Sequence, residues 1–149
     1  MMRALILLTS LCAAFLTSCS GSPLPIRNLH VGPAVFTAQV VNTVAQREHG
    51  LMGRKDLTDK TAMLFVFPDE KTRVFWMKDT PTPLSIAFIN RAGVVKEIYD
   101  MKPFSLEAVP SQYSVPYALE VNQGAFSRQG VKVGDTIPAE DLKGLSANQ

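Results

Sequence analysis

Leu84-Ser-Ile-Ala-Phe-Ile89, reached through Asp79-Thr-Pro-Thr-Pro83 and left through Asn90-Arg-Ala-Gly93, decides the fold class of this chain. The run is apolar on both faces and bounded by turn-forming residues. It is too short for a globular helix and reads as a central strand covered on two sides. Asn90–Gly93 is a hairpin-type loop into a further strand, Val94 to Met101. Upstream, Met63-Leu-Phe-Val-Phe67 is a second continuous apolar run, closed by Pro68-Asp69-Glu70. Val74 to Lys78 is the next strand, and Asp79–Pro83 breaks it. Strands repeating at such short spacing favour an antiparallel meander or barrel over a βαβ fold. The expected fold is mostly β: a small antiparallel, barrel-like domain with two short helices.

The flanking segments extend this pattern. Ala34 to Asn42 is β-branched and aromatic and reads as the first strand. Thr43-Val-Ala-Gln46 matches a capping box, opening a short helix that Gly50 stops. Tyr117, Leu119 and Val121 share one strand face, with Ala118 and Glu120 on the other. Asn122 is positioned to cap a second helix through Arg128, with Gly130 behind it, and Val131 to Ile137 reads as a last short strand.

The N-terminus reads as an export signal. Arg3 precedes a short apolar run, Ala4 to Phe15, and Leu16-Thr-Ser-Cys19 resembles a bacterial lipobox. Residues 1–18 are then a lipoprotein signal peptide and Cys19 carries lipid. Residues 19–33 are a proline-containing tether, 34–138 a single domain, and 139–149 a polar tail. The expected location is a membrane facing the periplasm or cell exterior. Ser20, in place of Asp, favours the outer membrane of a two-membrane host.

Composition narrows the chemistry. At 46% hydrophobic, the chain holds material for one core and not two. A net charge of +2, from which Arg3 departs with the signal, argues against nucleic acid as a partner. Cys12 leaves with the signal and Cys19 is capped, so the mature domain has no thiol for a disulfide, nucleophile or zinc site. His30 and His49 are the only imidazoles, and the first sits in the tether. No metal or other cofactor is expected.

Four segments carry a family resemblance: Gln46-Arg-Glu-His-Gly-Leu-Met-Gly-Arg54, Met63–Phe67, Phe75-Trp-Met-Lys-Asp-Thr-Pro-Thr-Pro-Leu-Ser-Ile-Ala-Phe-Ile89 and Tyr117-Ala-Leu-Glu-Val-Asn122. In order and spacing they resemble the family called domain of unknown function 192, or uncharacterised protein family 0127, over about residues 35–137. The resemblance implies a compact, mostly-β, barrel-like domain that is often exported, and it implies no reaction. Two positions depart from the family pattern. Asp79 stands where the family usually has Asn, and Ser85 where it usually has Asp.

Candidate site residues follow from residue type. Trp76 and Lys78 alternate onto one strand face. They form either a stacking platform with an ammonium beside it, or a core aromatic with a rim lysine, the commoner use of a large aromatic. Asp79 and Tyr117 complete this candidate binding group. Tyr99, Met101 and Tyr113 join Tyr117 beside the long Pro103–Pro116 loop as a candidate groove. Arg47, Glu48, Arg54 and Glu120 read either as an anion clamp or, preferentially, as an ion-pair latch between helix and strand. The expected function is a non-catalytic binding or envelope-assembly module. Its partners would be the membrane through Cys19 and a small polar ligand, glycan or envelope protein. The alternative is a carbohydrate-active hydrolase using Asp79 or Glu120, a chemistry that needs two carboxyl groups of divergent pKa.

Overall fold

A computed structural model describes residues 23–148. The signal peptide and Cys19 lie outside the described residues. The elements are β1 (Ile26–Val31), β2 (Ala34–Val41), α1 (Val44–His49), β3 (Thr61–Lys71), β4 (Val74–Phe75), β5 (Leu84–Ile89), β6 (Val95–Met101), β7 (Val109–Pro110), β8 (Val115–Asn122), α2 (Ala125–Arg128) and α3 (Ala139–Leu142). Six strands form one sheet in the order β1-β2-β3-β8-β5-β6, and β4 with β7 forms a separate two-stranded ribbon.

The central strands explain the architecture. Every residue of β5 is buried, as is β8 from Val115 to Val121. Strands apolar on both faces must be covered on both faces, so the sheet lies between two apolar clusters. One cluster includes Leu29, Phe36, Leu64, Tyr117, Leu119, Val121 and Phe126. The other includes Met63, Phe65, Met77, Leu84, Ile86, Phe88 and Ala118. The alternation read from the sequence for β8 therefore separates two cores rather than a core from solvent.

The mostly-β reading holds, with corrections to its details. β1 and β6 are the two ends of the sheet order and do not pair, so the sheet is open and no barrel closes among the described residues. β2 and β3 run parallel, joined by a crossover that carries α1, so the sheet is mixed rather than antiparallel. Residues 26–31, expected as tether, form β1. Leu29 and Val31 are fully buried and register with Phe36 and Ala34 across a hairpin at Gly32-Pro33. Their two-residue period is masked by the neighbouring prolines and glycine.

Among the described residues there are three short helices, not two. α1 has the expected capping box, with Thr43 and Gln46 bonded reciprocally. Asn122 does not cap α2, because it is still the last residue of β8 and its side chain bonds Asp59; Gly124, in the left-handed region, precedes the helix instead. α3 lies in the expected polar tail, burying Leu142 in the first cluster, and Asp141 accepts from the His30 backbone. Val131–Ile137 makes a single bridge, Val94 to Thr136, in place of a strand.

Burying Leu29 and Val31 contributes ~1.5–3 kcal/mol each, a large part of a domain's ~5–15 kcal/mol. A chain beginning at residue 33 is therefore expected to melt far below one beginning at residue 23. Equal thermal unfolding of the two would show that β1 is dispensable.

Candidate functional site

A solvent-open cleft of about 480 Å³ lies on the Met63–Phe88 side of the sheet. Phe65, Leu84 and Glu120 of β3, β5 and β8 form its floor. α1 and the turn after it, with Arg47, Glu48 and His49, make one wall. The segment from Phe67 to Lys78 makes the other.

Glu120 is the anomaly of the site. It sits mid-sheet, registered with Met63 on one side and Ile86 on the other, and is only 4% exposed. Burial alone pushes its carboxyl up to about 8, so it is a protonated acid at neutral pH. No hydrogen bond or ion pair reaches it from the described residues. Among those residues no side-chain polar atom is both sealed from solvent and unpaired, so the carboxyl keeps its opening to the cleft. Glu97 shows the contrast. It is also buried, but it accepts from the Tyr99 hydroxyl at 2.7 Å and the Gln112 backbone N–H at 3.0 Å.

Cations and aromatic rings surround the mouth. Arg47 donates to the carbonyls of Asn42 (2.6 Å) and Val66 (3.0 Å) and lies 5.3 Å from the Phe67 ring centre. Burial, and then the neighbouring Arg73, pull its pKa below the usual value. Arg73 stacks 4.1 Å from the same ring and pairs with Asp69. Hydrogen bonds from Lys71 and Arg73 hold Asp69 ionised, down to about 2. Lys78 lies 5.8 Å from the Trp76 ring. Phe75 contacts Phe65 edge-on at 5.0 Å and Phe67 at 6.3 Å, giving a continuous aromatic wall.

The structure redistributes the expected site residues. Trp76 is 53% exposed and lines the cleft with Lys78, so it is not core. The chain leaves the ribbon after Phe75, and Met77 is the residue that turns inward. Tyr117 belongs to the first cluster, on the opposite sheet face, and cannot share a surface with Trp76. Tyr99 and Met101 do line a groove with Gln112 beside the 103–116 loop, whereas Tyr113 stands exposed beneath Lys96.

Asp79 lies outside the cleft. Its backbone is left-handed (φ 52°) and its carbonyl accepts from Gly53. Asn and Asp both tolerate that conformation, so the departure from the family's Asn preserves the turn. Ser85 is buried on the other face, donating to Asp100 and accepting from the Gly124 N–H. The latch does not form. Arg54 pairs with Asp56 and Gln39, Arg47 bonds two backbone carbonyls through one guanidinium nitrogen, and Glu48 and Glu120 have no ion pair among the described residues. The balance of charges along the sequence does not show which groups meet. Phe67, Arg73 and Phe75 are wall residues that sequence reasoning missed. Their only signal there is the alternation of Phe65 with Phe67.

Three comparisons bear on the site. The family model DUF192, described as "Uncharacterized ACR", matches residues 27–139. A crystal structure from Sinorhizobium meliloti 1021, described as a "putative transcription regulator", is similar at 29% identity over 80% of this chain and 97% of that one, with a TM-score of 0.75. A protein of unknown function from Novosphingobium aromaticivorans DSM 12444 is similar at 28% identity over 80% and 94%, with a TM-score of 0.74. Among curated proteins, none matches.

The raised Glu120 pKa has a defined consequence for stability. Between 4.5 and about 8 the folded state holds a proton that the unfolded state has released, so stability falls as pH rises through that window. At pH 7 the loss is about 3 kcal/mol. Glu120→Gln, which keeps the shape but cannot ionise, should leave stability unchanged at pH 4. It should stabilise increasingly towards pH 8 and level off above. Denaturant melts showing a constant difference from pH 4 to 8, or a loss, would contradict the burial of an unpaired acid.

Proposed function

The chain belongs to the DUF192 family, and on that premise we propose that it is a ligand-binding module of the cell envelope, held to a membrane by lipid on Cys19. The observation that carries this reading is Glu120, a buried carboxyl without a partner among the described residues, at the floor of an open cleft. Every other buried polar side chain among the described residues has an internal hydrogen bond: Thr80, Ser85, Glu97 and Ser111. A carboxyl kept unpaired at a cost to stability is best explained by a partner that arrives from solution. Trp76 supplies a stacking surface at the mouth, suited to a small polar molecule, a sugar ring or a side chain of an envelope protein.

A hydrolase is the second reading, because a protonated Glu120 has the state a general acid requires. Asp79 lies outside the cleft, and Asp69 within it already accepts from Lys71 and Arg73. Glu48 is exposed on the α1 rim rather than set in the floor. Among the described residues no second buried carboxyl lines the cleft with Glu120 to serve as base or nucleophile, so binding is preferred. The lipobox supports envelope placement, with the outer membrane as destination in a two-membrane host. The near-neutral charge speaks against a nucleic-acid role, whatever the description of the Sinorhizobium neighbour.

Trp76 is the only tryptophan and so reports directly on the cleft. Titrating the purified protein with envelope sugars, amino acids and short peptides should yield a compound that shifts its emission. Trp76→Ala and Glu120→Gln should each weaken that compound about tenfold or more without lowering the melting temperature. Cys19→Ala should move the protein out of the membrane fraction. Turnover of a glycoside that Glu120→Gln abolishes would replace this reading with the hydrolase.

A further inference from the structure

We propose that the ligand is a zwitterion of the amino-acid type, its ammonium set against Glu120 on the cleft floor and its carboxylate held by Arg47 and Lys78 nearer the mouth. This rests on the cleft being a binding site, and it names the chemistry the site selects.

The floor lacks one half of an ion pair. Glu120 is flanked in the sheet by Met63 and Ile86, with Leu84 beside it in the cleft, and none of these offers a donor. Burial raises its pKa, and among the described residues no cation forms an ion pair or hydrogen bond with it. A neutral donor would satisfy one hydrogen bond. An ammonium satisfies the carboxylate's charge as well, in a water-poor setting where that pairing is strongest. The rings of Phe67 and Trp76 already carry Arg73 and Lys78, so the ammonium's attraction comes from Glu120 itself.

The mouth asks for the opposite sign. Arg47, Arg73 and Lys78 line it together with Glu48 and Asp69, three formally cationic side chains to two carboxylates. Arg73 is matched by Asp69, whereas Arg47 and Lys78 have no carboxylate partner among the described residues. A simple amine would meet repulsion at this rim, and a simple acid would leave Glu120 unpaired. A ligand with an ammonium at one end and a carboxylate at the other satisfies both, with its carbon chain along Phe65, Phe75 and Trp76.

The pairing has a proton signature. At pH 7 Glu120 is protonated, so docking the ammonium displaces that proton to the buffer and leaves a carboxylate opposite an N–H donor. The other groups facing the cleft, from α1 and from the 67–78 segment, are Arg47, Glu48, His49, Asp69, Arg73 and Lys78. Of these residue types only histidine ordinarily exchanges a proton near neutrality. Glu120→Gln separates the two contributions.

Straight-chain ω-amino acids of increasing length are the probe, with n-alkylamines and n-carboxylates of matched length as controls. Each is titrated calorimetrically into the full-length protein at pH 7, in buffers of different ionisation heat. One chain length should bind at least tenfold tighter than its matched amine or acid, with close to one proton released. Glu120→Gln should remove both the release and the tenfold preference, and Arg47→Met should weaken the zwitterion but not the amine. Acids or neutral compounds binding as tightly as any zwitterion, or undiminished proton release in Glu120→Gln, would overturn the inference while leaving the cleft a binding site. If no compound of any class binds or shifts Trp76 emission, both the inference and the site reading fail.

Discussion

Double burial of the central strands is the feature from which the remaining architecture follows. β5 and β8 face apolar clusters on both sides, so no position along them is naturally wet. Such strands accept polar side chains only when these are hydrogen-bonded within the protein. Ser85 on β5 meets this condition, tied to Asp100 and to the N–H that opens α2. Glu120 on β8 does not, and its opening to the cleft is the only relief the fold provides. The location of the candidate site is thus a consequence of the sheet's layering.

The open edge of the layering makes the cleft. α1, carried on the β2–β3 crossover, covers the second sheet face only in part. The chain after Val66 bends away at a register shift, and the 67–78 segment rises to form the facing wall. Phe65, Phe67 and Phe75 fill the angle between them by edge-on contact, which keeps the wall fixed while Trp76 stands out at the rim. Arg73 braces this wall through the Val115 carbonyl and Asp69. A preorganised wall lowers the ordering cost of binding.

Much of the fold is legible in local sequence. The Thr43–Gln46 cap, the buried runs at 63–67 and 84–89, and the separation of Tyr117, Leu119 and Val121 from Ala118 and Glu120 all follow from periods of a few residues. What is not legible depends on long-range pairing. The parallel β2–β3 contact, the failure of β6 to meet β1, and the seating of Leu29 and Val31 under β2 leave no mark on local spacing. The site is half-legible for the same reason. Alternation places Trp76 and Lys78 together and Glu120 opposite Tyr117, but does not say which face carries a cleft. The expected latch does not form, because Arg47, Glu48 and Glu120 share a cleft without pairing and Arg54 turns to Asp56 and Gln39, and the expected surface at Tyr117 is a core.

Everything proposed for the cleft depends on Glu120 being an unpaired, protonated acid in the folded protein. Its side-chain carboxyl carbon can be followed by ¹³C NMR from pH 4 to 10, with Glu120→Gln identifying the resonance. Burial without a partner predicts a midpoint near 8 in the free protein. A midpoint near 4.5 would mean that a cation or strong donors already satisfy this carboxylate, and that the floor of the cleft has no vacancy for an incoming charge.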